Sequence, residues 1–193
     1  MKKFMHNFLI AFLLLGAIST YAVATPITVN LNNGDGDPIN TGATLKYYDS
    51  NGWHTATNNN DGTFTADVNG TNITYKMYFN NGVQQKVESS STNPVSFQTS
   101  TTLLSLKDSD GNVLVGDNVK YYQNGWSGDN STGTTVELLP GTYSFKMFFN
   151  NGTQQINGEV IDGVEDEVLF TTVTVNPKLV DCDDNPLSNG NVK

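Results

Sequence analysis

The sequence predicts an all-β protein built from tandem seven-stranded Greek-key β-sandwich domains. Three observations predict this fold class. One unit, whose matching residues lie 70 to 74 positions apart, occurs twice and begins a third time. Inside each copy, apolar and polar residues alternate with the period of two that a half-buried strand shows. Turn-forming Asn, Asp, Gly and Pro residues separate these runs at the short intervals typical of a sandwich.

The internal repeat defines the domain organisation. Tandem units that share one pattern are typical of arrays in which each unit contacts its neighbours. The matching segments are 46–53 with 120–126, 75–85 with 145–155, and 108–120 with 181–193. We therefore divide the chain into a signal peptide (1–24), a first sandwich repeat (25–100), a second sandwich repeat (101–175) and the truncated start of a third repeat (176–193).

The third copy stops just before its Tyr-Tyr strand would follow. Its apolar residues, Leu179 and Val192 among them, therefore lack the strands that would cover them. We expect this tail to be poorly packed, and we expect the chain to be the front part of a longer protein.

The first 24 residues have the layout of a secretory signal peptide. Lys2 and Lys3 precede an apolar stretch over 8–15, and Ala22-Val23-Ala24 forms a small-residue cleavage signal. The alternative is a retained anchor helix, for which this apolar stretch is too short. We therefore expect a secreted protein, extracellular or at the cell surface, with no membrane span after cleavage.

Charge and cysteine content limit the possible partners. The chain has a net charge of −9, and removal of 1–24 leaves eight lysines, 19 acidic residues and no arginine. Nucleic acid is excluded because phosphate binding needs clustered positive charge. Cys182 is the only cysteine, so neither full repeat can form an internal disulfide. The core must supply the stability, with help from neighbouring repeats or bound ions.

Alternation places the strands in order along each copy. The first strand has Val29 and Leu31 facing inward, and the strand with the Lys-Tyr-Tyr motif has Leu45 and Tyr47 facing inward. A longer strand follows whose inward residues are all large and apolar. These residues are Ile73, Tyr75, Met77 and Phe79 in the first copy, and Tyr143, Phe145, Met147 and Phe149 in the second.

Short turns connect these strands. Asn81-Gly82 and Asn151-Gly152 predict type I′ hairpins, which need positive φ at both central residues. Pro140-Gly141 predicts a further hairpin, whose counterpart in the first copy is Gly70-Thr71.

The predicted hairpins bring opposite charges together. Asp67 would lie opposite Lys76 on the neighbouring strand, and Glu137 would lie opposite Lys146. Such exposed cross-strand pairs contribute only about 0.2–1 kcal/mol each. Their recurrence at the same place in both copies nevertheless supports this register.

The second copy shows a recognisable succession of elements: an apolar strand, the turn 108–111, the strand with Lys120-Tyr121-Tyr122, and the segment 137–143. This succession resembles the prealbumin-like repeats of bacterial secreted or surface proteins, a group that includes carboxypeptidase regulatory-like domains and collagen-adhesin B-type repeats. The first copy departs from the pattern, because Asn69-Gly70-Thr71 replaces the Leu-Pro-Gly turn. The resemblance covers nearly all of 27–193. It implies a prealbumin-like or immunoglobulin-like sandwich with a spacer or adhesive role, and it transfers no catalytic residue.

Oxygen-rich turns are the candidate metal sites. Asp108, Asp110 and Asn112 lie in one such turn, and similar turns occur at 33–37 and 181–185. Calcium binds carboxylate and carbonyl oxygens in loops, but the EF-hand template fails because Val113 occupies the position that needs glycine. The two hypotheses are a calcium site at Asp108, Asp110 and Asn112, and an ordinary Asx/Gly turn, which we favour. No other cofactor is predicted.

Aromatic residues on the outward face of each copy are the candidate ligand-binding residues. Exposed aromatic patches often mark binding sites, and lysines flank these residues in the sequence. The alternative is that the tryptophans cap the core and the tyrosines lie under a loop. The residues are Tyr48, Trp53 and Tyr78 in the first copy, and Tyr122, Trp126 and Phe148 in the second.

Catalysis is not expected. His54 is the only histidine after the signal peptide, and its counterpart in the second copy is Ser127. The sequence contains neither a His/Cys cluster with metal-ligand spacing nor a G-x-S-x-G nucleophile motif. We expect a non-catalytic secreted or cell-surface spacer or adhesion module that contacts neighbouring repeats and glycans or extracellular matrix. The alternative is a carbohydrate-binding accessory module of a larger extracellular enzyme.

Overall fold

The computed structural model describes residues 24–115, 118–163, 165–175 and 177–186. The described residues form strands and turns, so the prediction of an all-β fold is confirmed. None of them belongs to a helix that is long and apolar enough to cross a membrane. The predicted signal peptide lies outside the described residues except for Ala24.

The strands of the first half form one sandwich, called here the first unit. They are β1 (Thr25–Asn32), β2 (Thr44–Asp49), β3 (Gly52–Thr55), β4 (Thr57–Asn58), β5 (Thr63–Val68), β6 (Asn72–Phe79), β7 (Gly82–Ser89) and β8 (Val95–Gln98). One sheet has the order β4-β5-β1-β8, and the other has the order β3-β2-β6-β7. Their inward side chains form a single core cluster, to which the alternation of β6 contributes Ile73, Tyr75, Met77 and Phe79 as predicted.

The second unit repeats this arrangement. Its strands are β9 (Ser100–Lys107), β10 (Val113–Leu114), β11 (Asn118–Tyr122), β12 (Asn130–Ser131), β13 (Thr134–Leu138), β14 (Gly141–Phe149), β15 (Gly152–Ile161) and β16 (Glu165–Thr171). In one sheet β9 pairs with β10, β13 and β16; the other has the order β12-β11-β14-β15. A separate core cluster lies between these two sheets.

The first and last strands of each unit run parallel to each other. β8 lies along β1 in the first unit, and β16 lies along β9 in the second. All other strand pairs that the described residues form are antiparallel. Because parallel strands start at the same edge, the chain enters each unit at one end and leaves it at the other.

The predicted type I′ hairpins are present, but each is centred one residue earlier than expected. Asn80 and Asn81 have φ values of 45° and 57°, and Asn150 and Asn151 have values of 45° and 61°. These asparagines occupy the two central positions, because asparagine tolerates the left-handed region better than most residues. Gly82 pairs with Phe79 and is the first residue of the returning strand.

The predicted charge pairs are wrong. Asp67 does not lie opposite Lys76, and Glu137 does not lie opposite Lys146, because β5 pairs with β1 and β13 pairs with β9. The segments at 69–71 and 139–140 therefore join two different sheets and are not hairpins. Alternation had correctly given the inward faces of β1, β2, β6 and β14, but it carries no information on which strand lies beside another.

The start of the third copy forms its predicted turn, and its described residues, 177–186, belong to no named strand. Asp181 accepts hydrogen bonds from the backbone of Asp183 and Asn185, as Asp108 does in the second unit. The preceding apolar residues Val173 and Val175 are 80% and 74% exposed. Leu179 is also exposed, in agreement with the expected poor packing of this tail, whereas Val192 lies outside the described residues.

Candidate functional site

The outer face of the β3-β2-β6-β7 sheet carries the predicted aromatic residues of the first unit. Tyr48 and Trp53 lie side by side on β2 and β3, with ring centroids 5.4 Å apart, and are 47% and 50% exposed. Lys46 and Lys76 face each other on β2 and β6. The Nζ of Lys76 lies 5.0 Å from the Trp53 ring centroid, and that of Lys46 lies 5.8 Å from the Tyr78 ring centroid. We call this surface the aromatic–lysine face.

A shallow depression marks the centre of this face. It has a volume of about 280 Å³ and is lined by Lys46, Trp53, Lys76 and Tyr78. Tyr48 pairs with Thr74 and Tyr78 pairs with Thr44, so the two tyrosines lie on opposite sides of the lysine pair. The predicted aromatic residues of the first unit therefore form two groups, with the lysine pair between them.

The second unit has a similar face on β11, β14 and the segment that carries Trp126, which forms an isolated bridge with Tyr122. Tyr122 and Trp126 lie 5.3 Å apart between ring centroids, and Lys120 faces Lys146 across β11 and β14. The Nζ of Lys146 lies 5.3 Å from the Phe148 ring centroid. The two faces differ at both lysines: Lys120 forms an ion pair with Asp129 at 3.3 Å, and Lys146 lies over Phe148 whereas its counterpart Lys76 lies over Trp53.

These exposures favour the surface interpretation of the aromatic residues over the core interpretation. Trp53 and Trp126 are about half exposed, and neither belongs to a core cluster. Each tryptophan contacts a tyrosine ring on the neighbouring strand. Ligand binding by Tyr48, Trp53, Tyr78, Tyr122, Trp126 and Phe148 stays a prediction.

The junction between the units is a site that the sequence did not reveal. Leu139, which follows β13 of the second unit, is fully buried in the core cluster of the first unit. Its carbonyl accepts a hydrogen bond from the Tyr143 hydroxyl at 2.8 Å. Burial raises the pKa of Tyr143 well above its ordinary value, so the hydroxyl keeps its proton and remains a donor.

Glu137 holds the same junction by its side chain. Its carboxylate accepts hydrogen bonds from the Gly34 amide at 3.2 Å, the Thr101 hydroxyl at 2.6 Å and the Thr99 hydroxyl. Its carbonyl accepts a bond from the Asn80 side chain at 2.9 Å. Glu137 therefore joins the two units instead of pairing with a lysine in its own unit.

The edges of the two units approach closely on the other side of the junction. The Gln123 side chain accepts a hydrogen bond from the Val83 amide, and the Asn81 carbonyl accepts one from the Asn124 amide. A Cβ atom on Gly82 would collide with the Tyr143 hydroxyl. Glycine is needed at this position because the neighbouring unit leaves no room for a side chain.

The first unit closes its corresponding edge with its own residues. Asp49, in the position of Gln123, accepts hydrogen bonds from the backbone of Asn51 and Asn69, each at 2.8 Å, and lies 3.2 Å from His54 Nε2. Burial raises the pKa of Asp49, but the two amide donors and His54 outweigh it, so this pKa lies below its ordinary value. The first copy thus differs from the second at Asp49 and at 69–71. The equivalent residues of the second copy, Gln123 and 139–141, are the ones at the junction with the first unit.

The oxygen-rich turn of the second unit is closed by its own hydrogen bonds. The Asp108 carboxylate accepts bonds from the backbone of Asp110 and Asn112 and from the Asn112 side chain, at 2.8 to 2.9 Å. The Asn112 donors hold the pKa of Asp108 below its ordinary value. Within the described ranges, no group of three or more His, Cys, Asp or Glu side chains could hold a metal ion. The calcium hypothesis for Asp108, Asp110 and Asn112 stays a prediction, and the geometry favours an ordinary turn.

Comparisons with known proteins give no family for the chain. No family model and no curated protein matches it. Similar solved structures include the TIE protein of Bacillus anthracis, with 10% identity, a TM-score of 0.31 and coverage of 79% of this chain and 34% of that chain. Shaft pilin SpaA from Lactobacillus rhamnosus GG matches with 10% identity, a TM-score of 0.26 and coverage of 80% of this chain and 100% of that chain. This chain thus spans about a third of the Bacillus anthracis protein. Scores this low establish neither family nor function.

Proposed function

We propose that this chain is a non-catalytic, secreted or cell-surface repeat protein whose units form a stiff spacer carrying an adhesive face. The observation that supports the proposal most directly is the burial of Leu139 of the second unit in the core of the first. Protein interiors are close-packed, so withdrawing this side chain would leave a cavity. Neighbouring units therefore keep a fixed relative orientation instead of moving independently on a linker.

The path of the chain suits a linear array. Each unit is entered at one end and left at the other, because its first and last strands are parallel. Glu137 and Gln123 add hydrogen bonds to Gly34 and to Val83 of the first unit, so the joint is held at more than one point. Units joined in this way extend in one dimension, as repeat proteins do.

Nuclear magnetic resonance relaxation of residues 25–193 tests the stiffness. We expect the backbone amides of both units to report one rotational correlation time, because the units tumble as one body. In Leu139→Ala the two units should report shorter and different times. Leu103→Ala, which truncates a half-buried leucine on an outer sheet face, is the matched control and should keep a single time. Different correlation times in the unaltered chain would refute the spacer proposal.

A second candidate function is carbohydrate binding, either by an adhesion module or by an accessory module of a larger extracellular enzyme. The specific observation in its favour is the pairing of an exposed tryptophan with a tyrosine in both units, Tyr48 with Trp53 and Tyr122 with Trp126. Exposed aromatic rings provide the apolar surface on which the C–H face of a sugar stacks. Their recurrence in both units has no explanation in core packing.

A glycan array probed with residues 25–193 tests this candidate. We expect binding that is lost in the double variant Trp53→Ala and Trp126→Ala. Val113→Ala removes an exposed apolar side chain outside the two faces and should leave binding unchanged. Absence of binding to every glycan on the array would exclude carbohydrate recognition and leave the spacer proposal intact.

A further inference from the structure

Two lysines lie directly opposite each other at the centre of each aromatic–lysine face. They are Lys46 with Lys76 in the first unit and Lys120 with Lys146 in the second. Like charges at opposing positions of neighbouring strands destabilise a sheet. The same unfavourable pair nevertheless occurs at the same place in both units.

The lysine pairs are conspicuous because the rest of the chain is acidic. The residues after the predicted signal peptide include eight lysines, 19 acidic residues and no arginine, and four of the eight lysines form these two pairs. Among the ion pairs of the described residues, none involves Lys46 or Lys76. Positive charge is thus concentrated on the two faces and is not neutralised in the first unit.

Aromatic rings hold the two ammonium groups without using up their donors. Lys76 lies over the Trp53 ring and Lys46 lies over the Tyr78 ring, at 5.0 and 5.8 Å from the centroids. An ammonium group has three N–H donors, and a ring contact leaves those that point away from the ring available. The depression between the rings, about 280 Å³ in volume, therefore offers two cationic donors beside two aromatic surfaces.

We propose that the aromatic–lysine faces bind an acidic polysaccharide that carries one carboxylate per sugar ring, a polyuronate. The inference rests on the carbohydrate-binding function proposed above and adds the class of sugar. A ring stacks on the tryptophan while its carboxylate accepts hydrogen bonds from the lysine pair, which relieves the repulsion between the two ammonium groups. A densely sulfated chain carries more negative charge per ring than a polyuronate, so the acidic remainder of the protein repels it more strongly.

The two units should differ in affinity. Lys120 is paired with Asp129 at 3.3 Å, whereas Lys46 has no acidic partner among the described residues. A carboxylate ligand at the second unit must compete with Asp129 for this ammonium group. The first unit is therefore the stronger site.

Titration of residues 25–193 with oligogalacturonate, followed by calorimetry in dilute buffer, tests the inference. We expect the double variant Lys46→Gln and Lys76→Gln to weaken binding at least tenfold, and Lys120→Gln with Lys146→Gln to weaken it less. The matched control is Lys107→Gln with Lys178→Gln, which removes the same charge outside the two faces and should leave affinity unchanged. Raising the salt concentration should weaken binding of the unaltered chain, because exposed charges are screened.

The outcomes separate this inference from the broader proposal. Equal losses in the Lys46/Lys76 variant and in the control would overturn it, as would stronger binding of heparin than of oligogalacturonate. Binding of neutral oligosaccharides alone, lost in Trp53→Ala, would overturn the polyuronate assignment while supporting carbohydrate recognition.

Discussion

Truncation of Leu139 to alanine should weaken the first unit although the substitution lies in the second. The side chain is fully buried in the core cluster of the first unit. Removing a buried leucine side chain costs about 2–5 kcal/mol, and the cost rises when the site cannot collapse around the cavity. The junction hydrogen bonds of Glu137 hold the backbone in place, so we expect about 3 kcal/mol. With urea slopes of about 1–3 kcal/mol/M, the midpoint of the first unit should fall by roughly 1–3 M.

The neighbouring leucine provides a matched control. Leu138 is equally buried, but it belongs to the core cluster of the second unit. Each unit contains one of the two tryptophans of the chain, so single-tryptophan backgrounds report on the units separately. Trp126→Phe leaves Trp53 to follow the first unit, and Trp53→Phe leaves Trp126 to follow the second.

Urea unfolding followed by tryptophan fluorescence should therefore give a crossed result. Leu139→Ala should lower the midpoint seen by Trp53 more than the midpoint seen by Trp126, and Leu138→Ala should do the reverse. If Leu139→Ala shifts only the Trp126 transition, the leucine stabilises its own unit and the junction argument is refuted.

Three further outcomes follow from the hydrogen bonds of Glu137, Asp49 and Asp108. Glu137→Gln should destabilise the joint by about 1–2 kcal/mol, because an amide oxygen is a weaker hydrogen-bond acceptor than a carboxylate. The same substitution should speed hydrogen exchange of the Gly34 amide, and an unchanged exchange rate would contradict the contact between Gly34 and Glu137. Asp49 has a lowered pKa in the folded protein, so its ionised carboxylate stabilises the first unit at pH values above its ordinary pKa of 3.8. This stabilisation is lost as the pH falls through the pKa of Asp49 in the folded protein. In Asp49→Asn, the stability of the first unit, followed by Trp53 fluorescence, should therefore depend less on pH in the acid range. An unaltered pH profile would contradict this role of Asp49. Calcium should leave the melting temperature equal to that in chelator, because the Asp108 carboxylate already accepts three hydrogen bonds within its own turn. A rise with calcium would instead support the metal site.

Local features of the fold were predictable from the sequence, but the pairing of strands across sheets was not. Alternation identified the buried residues of β6 and β14 because the side-chain period of a strand is a local property. The supposed pairing of Asp67 with Lys76 failed because the chain changes sheet between them. An acidic residue and a lysine can thus recur at equivalent positions in two copies because the copies share a fold, without contacting each other.

The aromatic–lysine face was partly predictable and the junction was missed. The outward direction of Tyr48 and Tyr122 follows from the same alternation that buries Tyr47 and Tyr121. The overlooked signal was the pair Leu138-Leu139, since successive residues of an extended chain point in opposite directions. Here Leu138 is buried in the core of its own unit and Leu139 in the core of the neighbouring unit.

The parallel first and last strands determine how a unit responds to tension. A pull on its two ends draws β1 and β8 past each other along their axes, which loads all their hydrogen bonds in shear at once. No bond can open ahead of the others, as happens when a hairpin is peeled apart. β16 lies along β9 over seven residue pairs, but β8 lies along β1 over only four. Under load the first unit should therefore extend first and absorb the force, while the second keeps its shape.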